Sequence, residues 1–382
     1  MEEILSMEQK MDAIDEQIVS LLDQRLTLAR EQEKLKRENR VLTPDNGRER
    51  ELIAKVTEMA GPETKYCAQS VFHAISAAER SQRNAMESGE DSLMDSIHKA
   101  LADTPDLFPP EAIVACQGTE GAYSQITCDR MFKTPSIMFF ESFSHVFRAV
   151  EAGMCQYGIL PIENSTAGSV NAVYDQMLKH NFYIVKSARL KINHFLLANP
   201  GASLDGIREI ISHQQAISQC GNFLSTLKNV DVHPVANTAI AARTVAESGR
   251  TDIAAICSAS CGEDYGMKVL KENIQDSNGN YTRFICISKN QEIYPGADRI
   301  SLIIKVPHKP GALYNVLAKF YALGVNIRKL ESRPVPDTDF EFEFYFDVES
   351  PVYAPETDRL IRDLEKGPET IRYLGSYNEI LI

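Results

Sequence analysis

Met7, Met11, Ile14, Ile18, Leu21, Leu28 and Leu35 follow one another by fours and threes along an otherwise polar stretch, with Arg25 and Gln32 at the two seam positions that are not apolar. Such spacing lays one narrow apolar stripe along a long helix. A helix this thin cannot bury the stripe by itself, so the pattern predicts an intertwined dimer. Lys36 comes eleven residues after Arg25, within about 20° of the same helix face at ~100° per residue. Two cations on an apolar face are costly unless anions meet them; the plainer reading is a snorkelling arginine. "TPDNGRERE" (43–51) breaks the helix and restarts one, with Asp45, Arg48 and Glu49 at the restart. A third helix over 64–86 completes an all-helical segment, 1–88.

The texture then changes twice. Residues 89–111 are polar, end in Pro109-Pro110, and read as a linker with one short helix. From 112 to 289 strands alternate with helices, as in "AIVACQG" (112–118), "QYGILPIEN" (156–164) and "TDIAAICSAS" (251–260). This is an open α/β pattern, whose ligands sit in loops at the carboxyl ends of strands. It has no Gly-x-Gly-x-x-Gly, which argues against a nicotinamide-binding domain. Over 299–376 the order is strand, helix, strand, strand, helix, strand, an α+β ferredoxin-like sandwich. Within it "FEFEFYFDVES" (340–350) sets Phe340, Phe342, Phe344 and Phe346 on one face and Glu341, Glu343 and Tyr345 on the other.

The formal net charge of −13 argues against a general nucleic-acid binder. No apolar run approaches the ~20 residues of a membrane helix. An acidic, polar N-terminus is no secretory signal, and the eight scattered cysteines lack metal-ligand spacing. The chain therefore reads as cytoplasmic, with reduced thiols, no metal and no cofactor.

Four stretches place hydroxyls, amides or a small turn where a strand meets a helix: "QGTEGAYS" (117–124), "PIENSTAGSV" (161–170), "SHQQAISQC" (212–220) and "NTAIAAR" (237–243). Each alone could be a helix cap, and Ser212 with Gln215 could form a capping box. Together they describe a cleft lined by free N–H groups, which lets an acidic protein bind a carboxylate. "NGNYTRFICIS" (278–288) is either a hairpin turn leading to an exposed arginine, or a hydroxyl (Thr282) and a guanidinium (Arg283) aimed at an anion. Spacing leaves both open.

"GTEGAYS", "PIENSTAGSV", "SHQQAISQC" and "NYTRF", in that order, resemble the prephenate dehydratase family. "PGAL" (310–313) and "ESRP" (331–334) resemble the phenylalanine-binding motifs of an ACT regulatory domain, and the first segment is similar to the all-helical type of chorismate mutase. The resemblance implies three domains: a helical mutase, a two-lobed α/β dehydratase like periplasmic binding proteins, and a ferredoxin-like ACT domain. The implied substrates are chorismate and prephenate, with L-phenylalanine as allosteric inhibitor of a homodimer or larger homo-oligomer. For dehydration it implies Thr282 as the essential donor, lined by Asn164, Ser165, Ser212, His213, Gln219, Thr238 and Arg283. For the rearrangement it implies Arg25 and Lys36 on carboxylates, Lys36 also on the ether oxygen, Asp45 and Glu49 around the substrate hydroxyl, Arg48 in support and Gln82 as a second ether-oxygen donor, with Arg83 competing. For the effector it implies Gly311, Ala312, Leu313, Glu331, Ser332 and Arg333. The family also carries an arginine near the start of helix 1, where this chain has Glu8. That departure motivates one alternative, a dehydratase with a mutase-like dimerisation module that has lost its chemistry. The other alternative is an amino-acid sensor in which nothing reacts.

Overall fold

A computed structural model describes residues 2–39, 45–85, 92–335 and 341–382. The chain divides into two compact units. One comprises Met1–Met94, Pro307–Leu323 and Asp358–Glu369; the other comprises Asp95–Val306, Gly324–Thr357 and Thr370–Ile382.

In the first unit, α1 (Glu2–Glu38) is followed by α2 (Asp45–Met59) and α3 (Lys65–Ala85). Among the described residues nothing covers the seam of α1, and Ile14 and Ile18 are each 55% exposed. Among the described residues no helix is long and apolar enough to cross a membrane.

The segment expected to be a linker is not loose. Its helix α4 (Leu93–Asp103) buries Met94, Ile97 and Ala100. Phe108 sits on the rings of Phe132, Tyr157 and Tyr294, with centroids 4.9, 5.7 and 5.0 Å away. One apolar residue every three or four positions was enough to anchor a stretch that composition alone marks as polar.

The second unit opens with β1 (Glu111–Gln117), α5 (Tyr123–Met131), β2 (Thr134–Phe140) and α6 (Phe143–Glu151). It continues through β3 (Tyr157–Asn164), β4 (Gly168–Ser169), α7 (Asn171–Met177), β5 (Tyr183–Lys191) and β6 (Phe195–Ala198). Next come β7 (Glu209–His213), α8 (Gln214–Ser218), α9 (Gly221–Ser225), β8 (Asp231–Val235) and α10 (Thr238–Ser248). Then follow β9 (Ile253–Cys257), α11 (Ser260–Asp264), β10 (Lys268–Lys271) and β11 (Tyr281–Ser288). The last stretch is β12 (Arg299–Lys305), α12 (Ala312–Ala322), β13 (Asn326–Pro334), β14 (Phe342–Glu349), α13 (Pro355–Glu365), β15 (Thr370–Tyr377) and β16 (Glu379–Leu381).

These strands make three sheets. The first, in order β16-β5-β11-β3-β1-β2 with β4 on β3, mixes parallel and antiparallel pairs; the second, β10-β6-β9-β7-β8, is also mixed. The third, β13-β14-β12-β15, is antiparallel throughout. The chain leaves the first sheet for the second between β5 and β6, and returns between β10 and β11. Both α/β sheets are covered by helices, which is why their strands read as nearly continuous apolar runs.

The third sheet shares a core with the first: Ile303, Tyr345, Leu374 and Tyr377 pack with Leu160, Tyr174, Ile285 and Ile287. Here the period-two reading of 340–350 needs correction. Phe340 lies outside the described residues, and Tyr345, expected on the polar face, is buried against Tyr174 with ring centroids 5.0 Å apart. Alternation predicts which residues share a face, but not that both faces are covered.

Candidate active sites

Asn164 ends β3, and its orientation follows from its neighbours. Its Oδ1 accepts from the backbone N–H groups of Thr166 (3.1 Å) and Ala167 (2.9 Å) in an Asx turn. Backbone donors need an oxygen, so Nδ2 must face β11. There it donates to Thr282 Oγ1 at 2.9 Å and to Asn280 Oδ1 at 2.8 Å. A hydroxyl has one proton to donate. With Oγ1 already accepting from Asn164, the Thr282 proton is left for another acceptor.

The network runs on into the second sheet. Asn280, 2% exposed, donates from Nδ2 to Gln219 Oε1 at 3.0 Å. Gln219 Nε2 donates to Thr166 Oγ1 at 3.1 Å, and that hydroxyl donates to Asn164 Oδ1 at 2.8 Å. Gln219 Oε1 also lies 2.9 Å from His194 Nε2. Residues from β3, β11, the end of α8 and the β5–β6 crossing are thereby tied together around one hydroxyl.

The other expected residues hold different posts. Ser165 Oγ accepts from Tyr281 N at 2.9 Å and donates to Gly279 O at 2.8 Å, fastening the turn ahead of Thr282. Ser212 is fully buried and donates to Ile256 O at 2.5 Å. The cap of α8 is His213, whose Nδ1 accepts from Gln215 N at 3.3 Å, and not Ser212 as a capping box would require. Thr238 is the first residue of α10, behind the cap Asn237, which accepts from Ile240 N at 2.7 Å. Two of the helix starts expected to offer free N–H groups are thus occupied by their own caps; the first turn of α5 has no side-chain cap. Gly121, in "GTEGAYS", has φ +81°, and a Cβ there would lie 2.6 Å from Cys261 Sγ. Only glycine permits that approach between the β1–α5 loop and α11.

Arg283 departs from the expected cleft position. It is 8% exposed and pairs with Asp347 of β14. It also donates to Tyr377 Oη at 3.0 Å and approaches Glu379 Oε2 at 2.8 Å. Successive strand residues face opposite ways, so Thr282 and Arg283 cannot both serve one cleft. A 290 Å³ pocket on the Arg283 side is lined by Arg189, Arg283, Arg299, Arg328 and Lys329. The chain's own Glu379 carboxylate, met by Arg189, Arg283 and Arg299, takes the anion's place there.

In the helical unit a pocket of about 820 Å³ is lined by Arg25, Lys36, Arg48, Glu49, Glu79, Arg80 and Arg83, among others. Arg25 Nε lies 3.1 Å from Glu79 Oε1, Arg80 Nη1 is 2.6 Å from Glu49 Oε2, and Arg48 Nη1 donates to Gln32 Oε1 at 3.1 Å. Arg83 lines the pocket, and Gln82 is not among its lining residues. Glu79 and Arg80 escaped the sequence reading because nothing local marks them; they matter through α1 and α2. The Asp45 side chain lies outside the described residues.

Gly311 holds φ +81° ahead of α12, and Ala312 behind it is buried, with Leu313 partly so. On β13, Glu331 accepts from Ser169 Oγ at 2.6 Å and Arg333 pairs with Asp175, so both face the first sheet. Ser332 alternates to the exposed side. All eight cysteines are free, and only Cys67 is exposed. Among the described residues no group of His, Cys, Asp and Glu could hold a metal.

Comparison with known proteins gives matches over both α/β and helical segments. The family model Prephenate dehydratase matches residues 114–292, and Chorismate mutase type II matches residues 7–82. Arogenate dehydratase/prephenate dehydratase 2, chloroplastic, of Arabidopsis thaliana is 35% identical over 276 residues, 69% of this chain and 72% of that protein. The bifunctional chorismate mutase/prephenate dehydratase of Aquifex aeolicus (strain VF5) is 28% identical over 385 residues, covering 100% of this chain and 99% of that one. Among solved structures, a prephenate dehydratase in complex with L-Phe from Arthrobacter aurescens has a TM-score of 0.63 at 28% identity, over 69% of this chain and 90% of its own. A structure described as GqqA, a novel type of quorum quenching acylase, has a TM-score of 0.65 at 30% identity, over 70% and 98%.

Proposed function

The chain belongs to the prephenate dehydratase family, joined to a chorismate mutase type II segment, and we propose that it carries both activities on one polypeptide for phenylalanine synthesis. The observation that carries the dehydratase reading is the amide network that ends on Thr282 Oγ1 where two sheets meet. In prephenate the ring carboxylate leaves as carbon dioxide. Its bonding pair enters the ring, hydroxide departs from the opposite carbon, and one proton taken up turns that hydroxide into water. Aromatisation supplies most of the driving force. The protein must orient the dianion and present a donor to the leaving oxygen. Thr282 suits this as a hydrogen-bond donor whose acceptor side is filled by Asn164. It is too weak an acid to surrender the proton outright, so the proton that is taken up reaches the oxygen through water.

Acyl transfer of the kind named for GqqA needs a nucleophile activated by a base. Among the described residues the Thr282 hydroxyl has only the Asn164 amide as a side-chain partner, which cannot remove a proton.

The Claisen rearrangement neither gains nor loses atoms. It needs cations for two carboxylates and donors for the ether oxygen. Arg25, Lys36, Arg48, Arg80 and Arg83 line one pocket and support that reading. We place residues 1–88 as the mutase, with its exposed α1 seam covered by a second copy, and 112–289 as the dehydratase. Residues 299–376, by their β-α-β-β-α-β order and antiparallel sheet, read as a ferredoxin-like ACT domain. Phenylalanine held near Gly311 and Ser332 would inhibit by favouring a less active dehydratase, a differential affinity between two states. Equal phenylalanine affinity of the two states would end that part of the reading. The free cysteines support a reducing, cytoplasmic setting.

The test is conversion of prephenate, and of arogenate in parallel, by wild type and Thr282→Ala, with and without phenylalanine. Turnover by wild type, lost in the variant and depressed by phenylalanine, is expected. A chain that leaves both substrates untouched refutes the dehydratase reading. Chorismate turnover by wild type and Arg25→Ala separately tests the mutase.

A further inference from the structure

We propose that His194, through Gln219, holds in place the hydrogen bonds that end on Thr282, and so is a positioning residue of the dehydratase site. The inference rests on the dehydratase reading above and adds a residue that none of the motifs contains.

Donor and acceptor counting carries it. Gln219 Oε1 accepts from Asn280 Nδ2 at 3.0 Å, which identifies it as oxygen, since an amide nitrogen there would oppose donor to donor. His194 Nε2, 2.9 Å from the same oxygen, must then bear a proton. Tyr123 Oη donates to Asn193 O at 3.0 Å and lies 3.3 Å from His194 Nδ1, so Nε2 carries its proton whichever way that second contact runs. With Nε2 protonated, a neutral ring has a bare Nδ1. Burial agrees: His194 is 2% exposed, and desolvation, only partly offset by the Gln219 bond, lowers its pKa.

Remove that N–H, and Gln219 Oε1 keeps only one of its two donors, Asn280 Nδ2. The less firmly held amide can tilt or turn, and a turn presents NH2 to Asn280 Nδ2. Were Asn280 to turn with it, Asn164 Nδ2 would lose one of its two acceptors. Asn164 is pinned by backbone donors and cannot follow. The conflict would fall on the Asn164–Asn280–Thr282 junction, the place where the reactive proton is aimed. Because His194 lies on the β5–β6 crossing, the same bond ties the second sheet to the first.

The test is steady-state prephenate dehydration by wild type, His194→Phe, His194→Gln, Gln219→Leu and the His194→Phe/Gln219→Leu double variant, with thermal midpoints recorded for each. His194→Phe keeps the ring and removes the donor; kcat is expected to fall roughly 30-fold with KM within about threefold, as for a misaimed but occupied site. Glutamine places an N–H at similar reach, so His194→Gln should recover most of the loss. If His194 acts through Gln219, the double variant should be no worse than Gln219→Leu within about twofold. Wild-type kcat in folded His194→Phe, glutamine as poor as phenylalanine, or fully additive losses would overturn the proposal. Ring 15N shifts of wild type labelled in histidine need no variant to fold: a protonated Nε2 and bare Nδ1 are expected, and the opposite tautomer overturns it. A wild type without dehydratase turnover would instead remove the reading on which the proposal stands.

Discussion

Thr282 and Arg283 are consecutive on β11 yet serve opposite faces of its sheet: Thr282 Oγ1 accepts from Asn164 at 2.9 Å, while Arg283 is buried against Asp347 and Tyr377 of the third sheet. One peptide bond separates the candidate donor from the ion pair joining the two sheets. A shift of β14 or β15 large enough to displace the backbone of Arg283 would displace that of Thr282 as well. This would give the proposed phenylalanine regulation a physical route.

Thr282→Ala removes one hydroxyl and little volume. We expect kcat to fall by roughly 10²–10⁴ while stability changes by about 1 kcal/mol or less. Thr282→Ser should retain much of the activity. Urea titration alongside the assay separates lost chemistry from lost fold. An alanine variant as active as wild type would remove Thr282 from the mechanism.

Arg283→Met should behave in the opposite way. It strands Asp347, which is fully buried, without its cation. Breaking such a pair on one side costs about 3–5 kcal/mol, read as a lower urea midpoint. Arg283→Met/Asp347→Asn should regain part of that loss, because no buried charge is left alone. Equal destabilisation in single and double variants would count against the pair.

His194 predicts the acid side of the stability curve. Its folded pKa lies below its unfolded value of about 6.5. Between those values the unfolded chain binds more protons, so stability declines as pH drops below about 6.5, by at most ~1.4 kcal/mol per pH unit, and the decline ends below the folded pKa. Above 6.5 this group contributes no slope. His194→Gln should lack this portion. Superimposable pH profiles of the two proteins between pH 5 and 6.5 would show that His194 does not titrate as a buried base.

Ile14→Lys/Ile18→Lys places charges in the exposed α1 seam. If a second copy covers the seam, each isoleucine contributes about 1.5–3 kcal/mol there, and association through α1 should weaken roughly 100-fold or more. Sedimentation would show a smaller species, and chorismate turnover should fall while prephenate turnover persists. Unchanged sedimentation would leave the seam without its proposed cover.

By itself the sequence determined what depends on short-range periodicity and on turns. The α1 stripe, the strand-to-helix punctuation and the β-α-β-β-α-β order are properties of a few neighbouring residues, and so is the placing of Asn164, Gln219 and Thr282 at element ends. Only the tertiary structure decided which of those residues meet. Asn164 and Asn280 are 116 positions apart and bond at 2.8 Å; His194 and Gln219 join them because the chain crosses between sheets there. Arg283, although adjacent to Thr282, was turned away by strand alternation, and Tyr345 was buried because a second sheet happened to cover its polar face. Spacing along the chain fixes direction within an element. The partner waiting in that direction is set by the packing of distant segments, which no local pattern encodes.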